Sequence, residues 1–285
     1  MAKLGIIGGS GLYDIEGLEK RQWIEVNTPF GNPSDEFLTA EFKGKEVVFL
    51  PRHGRHHTIS PTEINYRANI YGMKYLGVSR IVSVTACGSL KEEIKPLDFI
   101  VISQFIDRTN KFRESTFFEG GIVAHISLAD PICKDLAGFV LSGAEKAGVN
   151  VHSGGTYINM EGPQFSTLAE SNLYRSWGAD VIGMTNLTEA KLAREAEICY
   201  AALAAVTDYD CWRKPEENVS VDMVLENLRK NVDNSKRIVK EVISGFDSSF
   251  ECACNRALEY SIVTRPEFIP GEVKRKLNLI IGKYI

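Results

Sequence analysis

No run of about 18 consecutive apolar residues occurs in this sequence, so no segment is predicted to cross a bilayer. A charged-then-apolar leader is missing too. Met1-Ala-Lys3 passes directly into Leu4-Gly-Ile-Ile7, and a cytoplasmic location is expected. Positive charge is not in excess: the formal net charge of −4 leaves no electrostatic footprint for nucleic acid. The six cysteines include no C-x-x-C pair, which argues against a zinc ribbon, and most are expected to be small buried hydrophobes. Cys252-Ala-Cys254 is the exception, a C-x-C in a polar segment. The short loop would strain a disulfide there, and an intracellular setting disfavours one. The glycines near the N-terminus are not followed by Gly-Lys-Ser/Thr, so there is no Walker A loop.

What is present is an ordinary globular composition. At 285 residues, 44% hydrophobic and 25% charged, the chain suits one large α/β domain with a small appendage. The small-residue run Cys199–Val206 is predicted to be a buried strand, and Asp208 and Asp210 stand where it would end. A lone Asp there is ordinarily a cap or turn residue. In open parallel α/β sheets, however, ligands bind beyond the carboxyl ends of strands, and a desolvated carboxylate needs a ligand or backbone donor.

Other predicted strands end on chemistry in the same way. Leu4–Ile7 leads into Gly8-Gly-Ser-Gly11, where glycines let N–H groups approach an anion and Ser10 adds a hydroxyl. Phe37–Phe42 and Glu46–Leu50 flank Lys43-Gly-Lys45 as a hairpin. The second of these strands runs into Pro51-Arg-His-Gly-Arg-His-His57. Arg52 and His53 thus sit at a strand end, where a guanidinium can hold a phosphate by two parallel N–H bonds. The histidines of this segment have no Asp, Glu or Cys at ligand spacing, so no metal is expected. A histidine phosphatase would need a second catalytic His late in the chain, and the last one here is His152.

Arg80–Thr85 is a predicted strand ending in Thr85-Ala-Cys-Gly-Ser89. Gly155–Met160 ends in Glu161-Gly-Pro-Gln-Phe-Ser166, where Phe165 is either a core residue or a stacking platform for a flat base. Asp180–Met184 ends at Met184 and Thr185; a Met in such a place is more often packing than site. His125 lies in the apolar run Val123–Ser127, where a core or interface histidine is the default and a ligand or partner-site contact the alternative. Helices are predicted over residues 61–76, 134–147, 168–177, 189–197, 221–243 and 271–283, the fourth being short and highly charged.

Ser10, Arg52, His53, Thr85 and Thr185 form a set of neutral donors plus one fixed cation, suited to a phosphate dianion. Phe165, Met184, Asp208 and Asp210 supply an aromatic face, an apolar contact and two acceptors, suited to a purine nucleoside. Phosphate and nucleoside held together argue for phosphorolysis of a glycosidic bond.

These motifs together resemble the S-methyl-5'-thioadenosine phosphorylases of the nucleoside phosphorylase family, whose members are typically trimers. The resemblance rests on Gly8-Gly-Ser-Gly-Leu12, Arg52-His-Gly-Arg55, Thr85-Ala-Cys-Gly-Ser89, Gln104-Phe-Ile-Asp-Arg108, Glu161-Gly-Pro163, Gly183-Met-Thr185 and Thr207-Asp-Tyr-Asp-Cys-Trp212. It runs in the family's order from about residue 4 to 245. It implies an α/β fold with a central mixed, largely parallel β-sheet flanked by helices. Residues 1–245 would be the catalytic domain, and 246–285 a C-terminal extension packed on it or on a neighbouring subunit.

By the same resemblance Ser10, Arg52, His53, Thr85, Ala86 and Thr185 form the phosphate site. Met184 contacts the ribose hydroxyls, Phe165 stacks on the base, and Asp208 and Asp210 read it. Val221 and Leu225 line the methylthio end, and His125 comes from the neighbouring subunit. Ser10 stands where some members have Thr, and Gln164 where many have Arg. The implied enzyme is a pentosyltransferase of purine and methionine salvage, working as a homotrimer or a dimer of trimers. It uses inorganic phosphate as co-substrate, with no cofactor, metal, nucleic acid or membrane.

The chemistry is consistent with this assignment. Phosphorolysis passes through an oxocarbenium-like sugar while negative charge develops on the leaving purine. The family's general acid acts at N7, so Asp208 is the expected proton donor, and burial at that position would favour its protonated form. A carboxylate also accepts from the 6-amino group of adenine and repels a 6-oxo group. A broader 6-aminopurine or purine nucleoside phosphorylase that also takes adenosine would share this site. A nucleotide-binding dehydrogenase would explain Gly8-Gly-Ser-Gly11 but needs an acidic ribose reader about 20 residues on. A non-catalytic adenosine-binding protein has no need of Arg52 and His53, and a hydrolytic nucleosidase none of phosphate.

Overall fold

The apolar runs become the middle strands of one mixed sheet. The computed structural model describes residues 3–9, 11–110, 113–213, 221–247 and 249–285, of which 221–225 as backbone only. The elements in order are β1 (Lys3–Gly8), β2 (Glu19–Ile24), β3 (Phe37–Phe42), β4 (Lys45–Pro51), α1 (Tyr66–Tyr75), β5 (Val78–Ser89), β6 (Phe99–Val101), β7 (Gln104–Arg108) and α2 (Lys134–Lys146). There follow β8 (Val151–Ser153), β9 (Thr156–Met160), α3 (Leu168–Ser176), β10 (Val181–Gly183), α4 (Asn186–Glu195), β11 (Cys199–Asp208), α5 (Val221–Gly245) and α6 (Gly271–Ile281).

The sheet runs β2-β3-β4-β1-β5 and then divides, one branch continuing through β10-β9-β7 and the other through β11-β6-β8. β5 is where it divides. β1 pairs with it in parallel only as far as Ser83, where β1 is about to end at Gly8. The edge thus vacated is taken by β10, which pairs antiparallel with Gly88 and Ser89. The other edge of β5 carries β11 in parallel, from Cys199 opposite Arg80 to Asp208 opposite Gly88. The sequence expectation that β5 stops at Thr85 is therefore corrected: pairing on both edges extends it through Ser89.

Local chemistry sets the remaining elements. Lys43 (φ 50°) and Gly44 (φ 77°) are both left-handed, as a two-residue hairpin between β3 and β4 requires. α1 begins five residues later than its apolar pattern predicts, because the Asn65 side chain caps it by accepting from Ala68 N at 3.1 Å. The first eight residues of β11 are buried, which is what a strand covered on both faces needs. α2 with α5, and α1 with α4, pack against the β5–β11 centre. β2 escaped sequence notice because it is an exposed edge strand with no apolar alternation.

The predicted charged helix at 189–197 is α4, and it starts at Asn186 and is buried rather than solvated. Glu189 and Glu195 are 1% and 6% exposed. Each has dedicated donors; Glu195 accepts from Phe117 N (2.6 Å) and Thr116 Oγ1 (2.7 Å). Burial nevertheless pushes the Glu195 carboxyl up to about 7, against those two hydrogen bonds. Between the ordinary carboxylate value and about 7, the folded chain thus holds a proton that the unfolded chain has lost. Stability from this group is expected to fall as pH rises through that window, by roughly 2–3 kcal/mol. Urea unfolding at pH 5 and pH 7.5 checks it: Glu195→Gln should flatten the slope, and an unchanged slope assigns it elsewhere.

Residues 246–285 wrap back onto this body. Leu258, Val273, Leu277, Ile280 and Ile281 join the same apolar core as the sheet. Buried Glu197 receives Leu258 N (3.0 Å) and the Tyr284 hydroxyl (2.6 Å), with Lys283 Nζ 2.6 Å away. No helix among the described residues is long and apolar enough to cross a membrane.

Candidate active site

β1, β4, β5 and β11 run in the same direction, so their carboxyl ends share one edge of the sheet. Arg52 N donates to Gly8 O at 2.9 Å, locking the ends of β4 and β1 together. The Arg52 side chain turns inward and is 2% exposed. Its Nε and Nη2 engage Glu189 as a two-pronged pair, Nη2 also meets Ser83 Oγ (2.5 Å), and Nη1 donates to Val84 O (3.2 Å). Glu189 further accepts from Ser83 Oγ and the Tyr200 hydroxyl, both at 2.8 Å. The fork expected to face phosphate is thus directed at Glu189. Of five guanidinium N–H groups, four are committed here, leaving one on Nη1. Glu189 was not singled out in the sequence. Its only signal is a carboxylate sharing a helix face with Asn186 and Ala193.

His53 is half-buried. Its Nδ1 lies 2.8 Å from Ile59 O, so that nitrogen carries the proton and Nε2 is left as an acceptor. Burial, then the adjacent Arg52 charge, hold the imidazole down to about 4, so it is neutral at pH 7. Thr85 and Ala86 lie in β5, Thr85 half-buried and Ala86 exposed. Thr185 is buried at the start of α4, and its hydroxyl makes no cap bond. Among the described residues, Thr185 Oγ1 and the buried Tyr157 hydroxyl have no hydrogen-bond partner. At the N-terminus of this ten-residue helix Leu187 N donates to Asn159 Oδ1 (3.0 Å), while the helix dipole beside unpaired hydroxyls still favours an anion. Tyr157 adjoins both Thr85 and Thr185.

The two carboxylates lie farther along β5. Asp208 closes β11; its Oδ1 accepts from Asp210 N (2.7 Å) and its Oδ2 from Thr207 Oγ1 (2.6 Å). Asp210 adopts a left-handed φ of 50°. Gly88 lies beneath both: a Cβ there would stand 3.1 Å from Asp208 Oδ1 and 3.3 Å from Asp210 Cβ. The sequence placed burial at Asp208; in the structure Asp208 is exposed and Asp210 is the half-buried member. Burial, then the Asp208 charge, raise the Asp210 carboxyl. Thr85 and Gly88 are three residues apart on one strand, about 10 Å.

Phe165 is 82% exposed, which removes its core reading. Its loop approaches the carboxylates, with Cys211 Sγ 3.4 Å from Ser166 O. Met184 packs on the Gly162 turn, and its carbonyl accepts from Arg113 Nη1 at 2.5 Å. Buried Arg113 also binds Glu161 through Nε (3.0 Å) and Nη2 (2.5 Å). It fixes the 161–163 turn against Met184, a role hidden within a stretch that reads as loop.

His125 is exposed, not in the core, and its N donates to Ser261 O at 2.8 Å. Ser10 lies outside the described residues, as do the side chains of Val221 and Leu225. A cavity of about 380 Å³ lined by Phe117, Glu119, Val273, Lys276 and Leu277 sits under the C-terminal extension and contains none of the site residues. The structure therefore brings Arg52, His53, Thr85, Ala86, Thr185, Met184, Asp208 and Asp210 to one sheet region, with Phe165 beside it and His125 elsewhere on the surface.

Comparison with known proteins gives the same architecture. The sequence profile of the Phosphorylase superfamily matches residues 3–244. The chain is 56% identical over 282 residues to S-methyl-5'-thioadenosine phosphorylase of Geobacter sulfurreducens, covering 99% of each, and 55% identical over 283 residues to that of Koribacter versatilis, covering 99% of this chain and 97% of the relative. A crystal structure of methylthioadenosine phosphorylase from an Antarctic soil metagenomic library superposes with TM-score 0.94 at 46% identity, covering 98% of each chain. Adenosine/methylthioadenosine phosphorylase of Schistosoma mansoni, as an adenine-bound double mutant, superposes at 0.84 with 37% identity, covering 94% of this chain and 100% of that one. Sequence profile, full-length identity and fold agree, and the chain belongs to the phosphorylase superfamily.

Proposed function

We propose that the chain cleaves S-methyl-5'-thioadenosine with inorganic phosphate, giving adenine and 5-methylthioribose 1-phosphate. The observation that carries this is the layout along β5: the unpaired Thr185 and Tyr157 hydroxyls adjoin Thr85, and two carboxylates lie about 10 Å farther on, over Gly88. Full-length identity to enzymes of that name supports the substrate.

The C1'–N9 bond breaks, the glycosidic electron pair leaves with adenine, and a phosphate oxygen bonds to C1'. Thr85, Ala86, Thr185 and the α4 N-terminus hold the phosphate, joined by Ser10. Neutral His53 offers only an acceptor at Nε2, so it takes a hydrogen bond from a P–OH group. Arg52, neutralised by Glu189, serves through its remaining N–H and by fixing the strand ends. Phe165 stacks on the base and Met184 contacts the ribose. Asp208 supplies or shares the proton at N7 as the purine leaves, and Asp210 is the second base reader; bound purine, rather than the chain alone, desolvates Asp208. Val221 and Leu225 line the methylthio end. The working assembly is a homotrimer or a dimer of trimers in which exposed His125 serves a neighbour's site. Residues 1–245 form the catalytic unit and 246–285 its extension.

Chromatography of the products with and without phosphate tests this. Adenine release that requires phosphate, with a sugar phosphate as co-product, is expected. Phosphate-independent release means a nucleosidase; no release, with inosine cleaved instead, refutes the base assignment. An apolar 5' pocket is worth about 1–3 kcal/mol, so methylthioadenosine should exceed adenosine by roughly 10–200-fold in kcat/KM. A preference for adenosine overturns the pocket assignment.

A further inference from the structure

Four cysteines that the sequence keeps far apart meet at one point. Cys133 caps α2, Cys199 opens β11, and Cys252 and Cys254 belong to the first turn of the C-terminal extension. Their four sulfurs all lie within 4.8 Å of one another. Cys133, Cys199 and Cys254 are buried and Cys252 is partly exposed, which gives an entry path. All are free thiols.

We propose that Cys133, Cys199, Cys252 and Cys254 bind one soft, tetrahedral divalent cation of the zinc class as a closed structural site. Four thiolates with no further ligand position are the donor set of a structural tetrathiolate centre. Zn–S bonds of about 2.3 Å place tetrahedral sulfurs about 3.8 Å apart, within the observed span. Cys199 Sγ and Cys252 Sγ, now 2.7 Å apart, would have to part by about 1 Å. Paired disulfides require only two close pairs, whereas here all four sulfurs converge. A C-x-C pair chelates one ion easily but closes an S–S bond only with strain. The two negative charges in excess over the cation meet favourable surroundings. Cys133 sits at the N-terminus of α2, where no side chain caps the first-turn N–H groups, and Arg194 is a cationic neighbour of Cys254.

The site's place assigns its role. Cys199 is at the start of β11 and Asp208 at its end, about 30 Å away. The ion would tie the C-terminal extension to the sheet without touching the reaction, so its loss should lower Tm and leave the kinetics of the folded enzyme unchanged.

The test uses the full chain purified under reducing conditions without chelator. Elemental analysis should give about one zinc per chain, released when the thiols are modified by a mercurial. After metal removal, Co2+ titration should give the thiolate-to-cobalt charge-transfer and tetrahedral ligand-field bands at one equivalent. Cys252→Ser and Cys254→Ser should each weaken Co2+ binding at least tenfold, while Cys211→Ser, outside the cluster, retains it. Three outcomes overturn the proposal. One is folded, reduced wild type with neither zinc nor the Co2+ spectrum; another is the four cysteines recovered as two disulfides in metal-free protein. The third is metal retained in both variants. Should the variants not fold, the wild-type titration decides alone.

Discussion

Asp208→Asn is expected to lower kcat/KM for S-methyl-5'-thioadenosine by roughly 10²–10³. The substitution keeps shape and most local bonding. The Asn carbonyl still accepts from Asp210 N, as Asp208 Oδ1 does at 2.7 Å. Its amide can donate to Thr207 Oγ1, whose own proton then turns to Cys87 O, already 3.1 Å away. What is lost is a carboxyl able to carry a proton to N7 and accept from the 6-amino group. The loss should fall mainly on kcat, because the interaction strengthens as charge develops on the purine. The amide donor should also narrow the gap between adenine and 6-oxopurine nucleosides, since it suits a 6-oxo group. Steady-state rates on methylthioadenosine and inosine, with unchanged Tm as the folding control, make the check. An unchanged kcat/KM removes Asp208 from the reaction.

Glu189→Ala should cost about 3–5 kcal/mol of stability, more than any other single truncation around the site. It leaves the 2%-exposed Arg52 as an uncompensated charge in the core and strips a partner from Ser83 and Tyr200. A buried pair is expensive to break but inexpensive to replace. The double variant Glu189→Ala/Arg52→Met should therefore recover much of the stability while abolishing phosphate-dependent turnover. Urea unfolding of the single and double variants gives the coupling. Additive losses would mean that the two side chains do not act as a pair.

Much of this was legible in the chain because it is local. The run Cys199–Val206 reads as a buried strand, and is one; Lys43-Gly44 supplies the two left-handed residues of a tight hairpin; Val221 to Val242 recurs with helical period. The residues at strand ends were legible for a related reason. In the parallel part of the sheet the carboxyl ends face one way, so Arg52 after β4 and Asp208 at the end of β11 were brought to one edge by direction, whereas Thr185 returns toward Thr85 because β10 runs antiparallel to β5.

The rest depended on which distant segments touch. Glu189 and Glu195 look like solvated charges in a ten-residue helix, and only packing between α1 and the sheet buries them and supplies donors from Arg52, Ser83 and Phe117. The continuation of β5 through Ser89 follows from β10 filling the edge that β1 vacates, a matter of two strand ends far apart in sequence. The exposed position of Asp208 against the half-buried one of Asp210 is set by a left-handed turn over Gly88. The four-cysteine cluster joins residues 133, 199, 252 and 254 because the extension folds back over β11. Sequence by itself determined what most segments would become, since propensity and periodicity act over a few residues. Tertiary structure alone decided which charges are buried and paired and which thiols meet, because desolvation and close contact depend on everything packed around a group.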